Sequence, residues 1–292
     1  MAGRVQLLTS GPQDRFFTIN PDYSYFLQSF KKHSNFARDY VDIDPENGEG
    51  DFGKKVRFKI PQNTGDLLKT LSVKMRLPTI SIALYTDPRF IESIGHALIE
   101  YADLIIGGKV IQRIPSDYLQ IYSEHVVTQT KQRALKQLIG KYPERAISTR
   151  VSDKDILGSI GRADEEEDLF VDLPFYFYNN PELAIPLCAI DKQEVEVEIK
   201  LRHHDHLIIK GTTGELQPVT PGSIHLKECT LCAEVIFLDP CELLKVKNTE
   251  KDYIITQIQQ NVFDIPQGEQ EGEFKLEFTN PVKELYFVIQ RQ

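Results

Sequence analysis

With 292 residues, 41% of them hydrophobic and 10% aromatic, the chain has room and apolar material for two ordinary domains, which excludes global disorder. Its formal net charge of −9, from 34 basic and 43 acidic residues, repels phosphate and argues against sequence-independent nucleic-acid binding. No apolar run is long enough for a transmembrane helix, and the opening MAGRVQLLTSGPQDRFF lacks the apolar core of a secretory signal.

In chain order, residues 1–22 read as an arm, punctuated by Gly11-Pro12 and Asn20-Pro21. A first domain is expected over 23–210. Within it, Val56–Ile60 and Leu67–Leu77 read as strands separated by the turn Pro61–Gly65. Gly107-Gly108, between Leu104-Ile105-Ile106 and Val110-Ile111, reads as the tight turn of a hairpin, because paired glycines supply two positive φ angles. Pro115-Ser116 then offers a start for one helix over Asp117–Ile139, closed by Gly140. Residues 149–168 are expected to form a polar loop ending in an acidic run.

The stretch from Leu169 to Leu201 is the most informative. It opens with the aromatic run Leu169–Tyr178, turns at Asn179-Asn180-Pro181, and ends in Glu194-Val195-Glu196-Val197-Glu198-Ile199-Lys200-Leu201. There every second residue is charged, the period of a strand with one wet and one buried face. Strand, turn, strand with aromatics pointing inward predicts an all-β sandwich. The Gly-, Thr- and Pro-rich segment 211–222 is expected to be an interdomain linker. Beyond it, Ile224–Phe237, Tyr253–Ile265, Phe274–Phe278 and Val282–Gln290 read as strands opening a second domain over 223–292, too few to close a sandwich.

Candidate chemistry is thin. His203-His204-Asp205-His206 offers metal-ligating side chains, and His204 with His206 would form an HxH pair of the cupin type. The carboxylate a cupin needs shortly afterwards is missing from Leu207–Gly211, so these two are weak metal candidates and no cofactor is expected. Cys229 and Cys232 have CxxC spacing, but on a strand they point to opposite faces and read as structural thiols. Glu194, Glu196 and Glu198 read as a solvated face. Lys31-Lys32 and Lys131–Lys136 are short basic spots suited to acidic loops of neighbouring subunits. No GxSxG, Walker A, GxGxxG or HExxH motif occurs, and no catalytic residue is assigned.

Several phrases, taken in order, resemble the major capsid proteins of nucleocytoplasmic large DNA viruses. They are Phe30–Ala37 (FKKHSNFA), Phe52-Gly53, Asn63–Leu67 (NTGDL), Gly107-Gly108, Leu173–Phe177 (LPFYF) and Asn180–Leu187 (NPELAIPL). Near the end come Tyr253–Gln259 and Asn280–Leu285 (NPVKEL). The resemblance implies a double jelly roll, here with an incomplete second roll and one helical insertion. It implies a structural, non-enzymatic subunit of trimeric, pseudo-hexagonal capsomers in an icosahedral virion capsid assembled in the host cytoplasm. The implied partners are two further copies of the chain, neighbouring capsomers and minor capsid proteins, beside an inner viral membrane and without direct nucleic-acid contact. A capsid-like paralogue, a ligand-binding sandwich and a cupin-like metalloprotein stand as alternatives. On this reading the arm Met1–Asn20 and the helix Asp117–Ile139 make intersubunit or shell-facing contacts.

Overall fold

The structure is a computed structural model that describes residues 34–46, 48, 50–80, 88–141, 166–210, 224–265 and 272–289, with isolated positions at 8, 11, 12 and 19. Contacts divide the chain into Met1–Asn35, where only isolated positions and residues 34 and 35 are described, and Phe36–Gln292, which holds the elements below. The expected arm and Lys31-Lys32 lie outside the described residues.

Ten strands are described: β1 (Phe36–Ile43), β2 (Lys55–Ile60), β3 (Leu67–Leu77), β4 (Pro88–Phe90), β5 (Ile99–Ile106), β6 (Lys109–Pro115), β7 (Glu167–Asp172), β8 (Val195–Leu201), β9 (Ile208–Lys210) and β10 (Glu228–Leu238). Four helices accompany them: α1 (Ile94–Leu98), α2 (Ser116–His125), α3 (Gln129–Leu138) and α4 (Pro240–Asn248). Two antiparallel four-stranded sheets, ordered β1-β10-β3-β7 and β2-β8-β5-β6, carry the jelly-roll architecture, and β4 pairs with β9 in a small ribbon. No helix among the described residues is long and apolar enough to cross a membrane.

Alternation builds the sandwich. Along β8, Val195, Val197, Ile199 and Leu201 are buried while the intervening residues stay partly exposed. From the facing sheet Leu71, Val73, Met75 and Leu77 of β3 and Leu231, Ala233 and Val235 of β10 join the same apolar cluster. The β5–β6 hairpin turns on Gly107 and Gly108 with φ of 59° and 78°, as their pairing requires. The helical insertion between β6 and β7 differs from the single expected helix. It is two helices, α2 and α3, broken at Val126–Thr128. The β-branched run Val126-Val127-Thr128 has poor helical propensity, and α2 ends where Val126 N–H still bonds to Tyr122 C=O at 2.9 Å.

The aromatic motif also departs from strand, turn, strand. Strand β7 stops at Asp172, and Leu173, Phe175 and Phe177 are buried from an irregular crossing between the sheets. Phe175 and Phe177 stack with ring centroids 6.0 Å apart, and Tyr176 meets Phe177 edge-on at 5.1 Å. The crossing is tied down by Gln112 of β6, buried among apolar neighbours, whose side-chain oxygen accepts from Tyr176 N–H at 2.8 Å. In this way a polar side chain replaces the ladder bond that an irregular segment forgoes.

The largest departure is at the expected boundary. Segment 211–222 does not separate two domains, because β10, which follows it, is an inner strand of the first sandwich. Phe36–Ile43 pairs with Leu238–Leu231 on one side, and Glu228–Ile236 pairs with Arg76–Leu67 on the other. The roll therefore runs to Leu238 and is followed directly by α4, with Asp239 as its N-cap and Pro240 in its first turn. The strands expected over Tyr253–Ile265, Phe274–Phe278 and Val282–Gln290 are not formed at the described positions, which lack regular structure and are largely exposed. Gln257 nevertheless donates to Ile111 C=O on edge strand β6 at 2.8 Å, and Ile258 packs partly against the core.

Candidate functional site

The outer faces of the sandwich hold most of its polar order. On the β2-β8-β5-β6 sheet, Lys55, Arg57 and Lys59 of β2 lie beside Glu194, Glu196 and Glu198. Lys55 and Arg57 reach Glu198 at 3.1 and 3.0 Å, and Lys59 pairs with Glu194. These glutamates are thus half of a cross-strand ion ladder rather than a merely solvated face. The Glu198 carboxyl lies below its ordinary range: burial acts to raise it, but hydrogen bonds from Arg57 and Lys55 outweigh that. Farther along the sheet Arg113 grips Asp103 with two hydrogen bonds of 2.7 and 2.6 Å and lies over the Tyr101 ring at 4.3 Å. The carboxylate beneath that fork is only 3% exposed.

The outer face of the other sheet is shaped by a bulge. Glu234 of β10 pairs with Thr70 but Val235 with Leu68, so Lys69 is an extra residue on β3. Lys69 turns to the outer face and reaches both oxygens of buried Glu234, at 3.0 and 3.1 Å, where Thr70 Oγ also donates at 3.1 Å. Beside it lies a concave pocket of about 250 Å³ lined by Tyr40, Ser72, Asp172, Tyr178, Cys232 and Glu234 among others. Asp172 accepts from Ser72 Oγ and Tyr178 OH, both at 2.6 Å. Burial, with Asp172 beside it, holds the Tyr178 hydroxyl firmly protonated.

Cys229 and Cys232 fall on opposite faces of β10, as strand spacing requires. Cys229 joins the core, where burial pushes its thiol up to about 12. Cys232 lines the outer pocket and is pushed up to about 11, by burial first and then by Asp42. The four cysteines are free thiols, so the pair is neither a disulfide nor an activated redox couple. Lys131–Lys136 sits on the exposed helix α3.

The histidine motif closes one end of the roll. His204–His206 form a single 3-10 turn between β8 and β9, so the HxH alternation expected of a strand does not apply. His204 is buried and His206 exposed, and the two do not converge. His203, His204 and Asp205 converge instead, with donor atoms within 4.8 Å of one another. His203 Nδ1 lies 3.2 Å from one oxygen of Asp205 and His204 Nδ1 lies 2.9 Å from the other. The two imidazoles are 4.0 Å apart, and the His204 ring meets Phe52 edge-on at 6.1 Å. Next to Phe52, Asp51 accepts from His225 at 2.9 Å, from Phe52 N–H at 2.9 Å and from Leu226 N–H at 3.4 Å. Burial acts to raise the Asp51 carboxyl, yet these bonds together with Lys54 hold it below the ordinary range.

The described residues present extended charged and apolar faces suited to contact with other surfaces. Comparison with known proteins agrees with that architecture. The chain is 28% identical over 296 residues to capsid protein 1 of Acanthamoeba polyphaga mimivirus, covering 98% of this chain and 48% of that protein. It is 28% identical over 307 residues to the major capsid protein of Phaeocystis pouchetii virus, covering 99% and 58%. The chain thus spans about half the length of these curated relatives. In fold it is similar to a chain of the PBCV-1 virus capsid, with a TM-score of 0.62 at 20% identity over 81% of this chain and 50% of that one. It is also similar to the Faustovirus major capsid protein, with a TM-score of 0.57 at 14% identity, covering 85% and 62%. Residues 24–239, from before β1 to the end of the roll, match the family model described as major capsid protein N-terminus, and the chain belongs to that family.

Proposed function

We propose that the chain is a structural subunit of the icosahedral capsid of a large DNA virus, acting by self-assembly rather than by catalysis. The observation that carries this reading is the family match over residues 24–239, which encloses all eight strands of the sandwich. In the proposal three copies form a pseudo-hexagonal capsomer, capsomers tile the shell with minor capsid proteins, and an inner viral membrane lies below. The virion is the site of action, with assembly in the host cytoplasm and no direct contact to nucleic acid. The net charge of −9 suits a wall that does not bind phosphate.

Two exposed apolar regions supply contact area. Phe36 and Tyr40 on edge strand β1 are 59% and 67% exposed, and the described residues of 254–265 and 272–289 include Ile254, Val262, Phe287 and Ile289 at 78% or more. Apolar side chains shown in such numbers mark a surface made for a neighbour. The test is the solution mass by light scattering: a species near three times 33.5 kDa supports the capsomer, and a well-folded monomer at micromolar concentration refutes self-assembly by this chain.

A further inference from the structure

We propose that His203, His204 and Asp205 form a binding site for a divalent transition metal of the zinc class. The donors decide the class. Two imidazole nitrogens and one carboxylate suit a borderline ion, whereas calcium and magnesium favour oxygen shells.

The spacing decides feasibility. Zinc bound tetrahedrally through bonds of about 2.0–2.1 Å holds neighbouring donors about 3.3 Å apart. The Nδ1-to-carboxylate distances of 3.2 and 2.9 Å, one to each oxygen, are close to that. The three donor atoms lie within 4.8 Å of one another, so rotation of the half-exposed His203 and Asp205 side chains is what brings them onto one ion. An ion entering here takes the Nδ1 lone pairs, displacing the long 3.5 Å bond that His203 Nδ1 accepts from Asp205 N–H, and each ring that ligates through Nδ1 carries its proton on Nε2.

The site is also held in place before any ion arrives. His204 has a side chain only 6% exposed, wedged against Phe52. His203 lies over Gly53, whose φ is +73°, and a Cβ there would stand 3.1 Å from the His203 ring. The backbone beneath is pinned by Gly53 N–H to Arg202 C=O at 3.2 Å and by Leu201 N–H to Lys54 C=O at 3.0 Å. Such preorganisation lowers the ordering cost of binding. The side chains of His203 and Asp205 are 49% and 41% exposed, so an ion reaches the site from solvent and keeps a position open to water. Bound there, it ties the β8–β9 turn into one rigid corner at the end of the roll.

The experiment is titration of the tag-free, chelator-stripped full chain with Co2+, followed by its d–d absorption, and with Zn2+ by calorimetry. One equivalent per chain is expected to bind saturably. His203→Gln and Asp205→Asn change half-exposed side chains and leave the melting transition intact, yet each is expected to weaken binding by at least about tenfold. His206→Gln is expected to bind as the parent does. Absence of saturable one-equivalent binding, unchanged affinity in both His203→Gln and Asp205→Asn, or loss of binding in His206→Gln would overturn the proposal.

Discussion

Ending the chain after Gly222 is the sharpest test of how the roll closes, because it removes β10 from between β1 and β3. The lost strand and its lead-in carry Ile224, Leu226, Leu231 and Val235, all at most 6% exposed. At about 1.5–3 kcal/mol for each fully buried aliphatic side chain, their burial contributes roughly 6–12 kcal/mol. Two ladders are lost as well, the pairing of Phe36–Ile43 on one side and of Leu67–Arg76 on the other. Domains of this size have a total stability of only about 5–15 kcal/mol. A chain of residues 1–222 is therefore expected not to fold, whereas residues 1–248, which keep β10 and α4, are expected to melt cooperatively. Far- and near-UV circular dichroism with thermal melts reads this directly. A cooperative transition in the 1–222 chain would refute the closure argument and restore the boundary that the sequence suggests.

Removing Arg113 with Arg113→Ala strips both hydrogen bonds from the 3%-exposed Asp103, though the opening admits water, so a loss of about 1–2 kcal/mol is expected by urea titration; an unchanged midpoint would show the pair to be idle. Replacing Gln112 by Leu leaves Tyr176 N–H without its acceptor and is expected to cost about 1–3 kcal/mol, seen as a lower melting temperature; equal stability would mean that the crossing is held by its aromatics alone. Cys229 has a folded value of about 12 against an ordinary 9.0, so its neutral thiol contributes stability fully present below pH 9 and lost as pH rises towards 12. Cys229→Ala is expected to flatten that alkaline decline, and a decline of unchanged slope would contradict it. In thiol labelling at pH 8, Cys241 is expected to react first and Cys229 only on unfolding, and early modification of Cys229 would count against its burial.

Local pattern made some of this fold readable and distance hid the rest. Strand β8 is legible because Val195, Val197, Ile199 and Leu201 alternate with charge, and the hairpin because Gly107-Gly108 permits one turn geometry. Strand β10 is legible as a strand, but nothing local says that Val235 pairs with Leu68 rather than with residues following it. The Gly- and Pro-rich composition of 211–222 predicts a break in regular structure, but composition alone does not say whether the chain returns to the same domain beyond it. The pairing partner decides, and it lies more than 150 residues earlier. The single expected helix fails for a milder reason, since the apolar stripe on either side of Val126–Thr128 keeps a helical period while the residues between favour extended backbone.

The polar surfaces divide along the same line. The glutamates of β8 show their exposure in sequence, but their partners Lys55, Arg57 and Lys59 become visible only once β2 is known to lie beside β8. The bulge that turns Lys69 towards Glu234 has no signature in Leu67–Leu77, because it arises from a register that β10 imposes. The histidines are the instructive case. Reading His203–His206 as strand makes His204 and His206 a pair on one face, whereas in a 3-10 turn of three residues per turn the two side chains point about 120° apart, and His203 meets His204 and Asp205 from the N-cap position. The turn forms because β8 must end against Gly53 and restart as β9 against β4, so the choice of ligating residues is made by strands whose sequences contain no ligand. Chemistry at the end of this roll is therefore a consequence of how the sandwich closes.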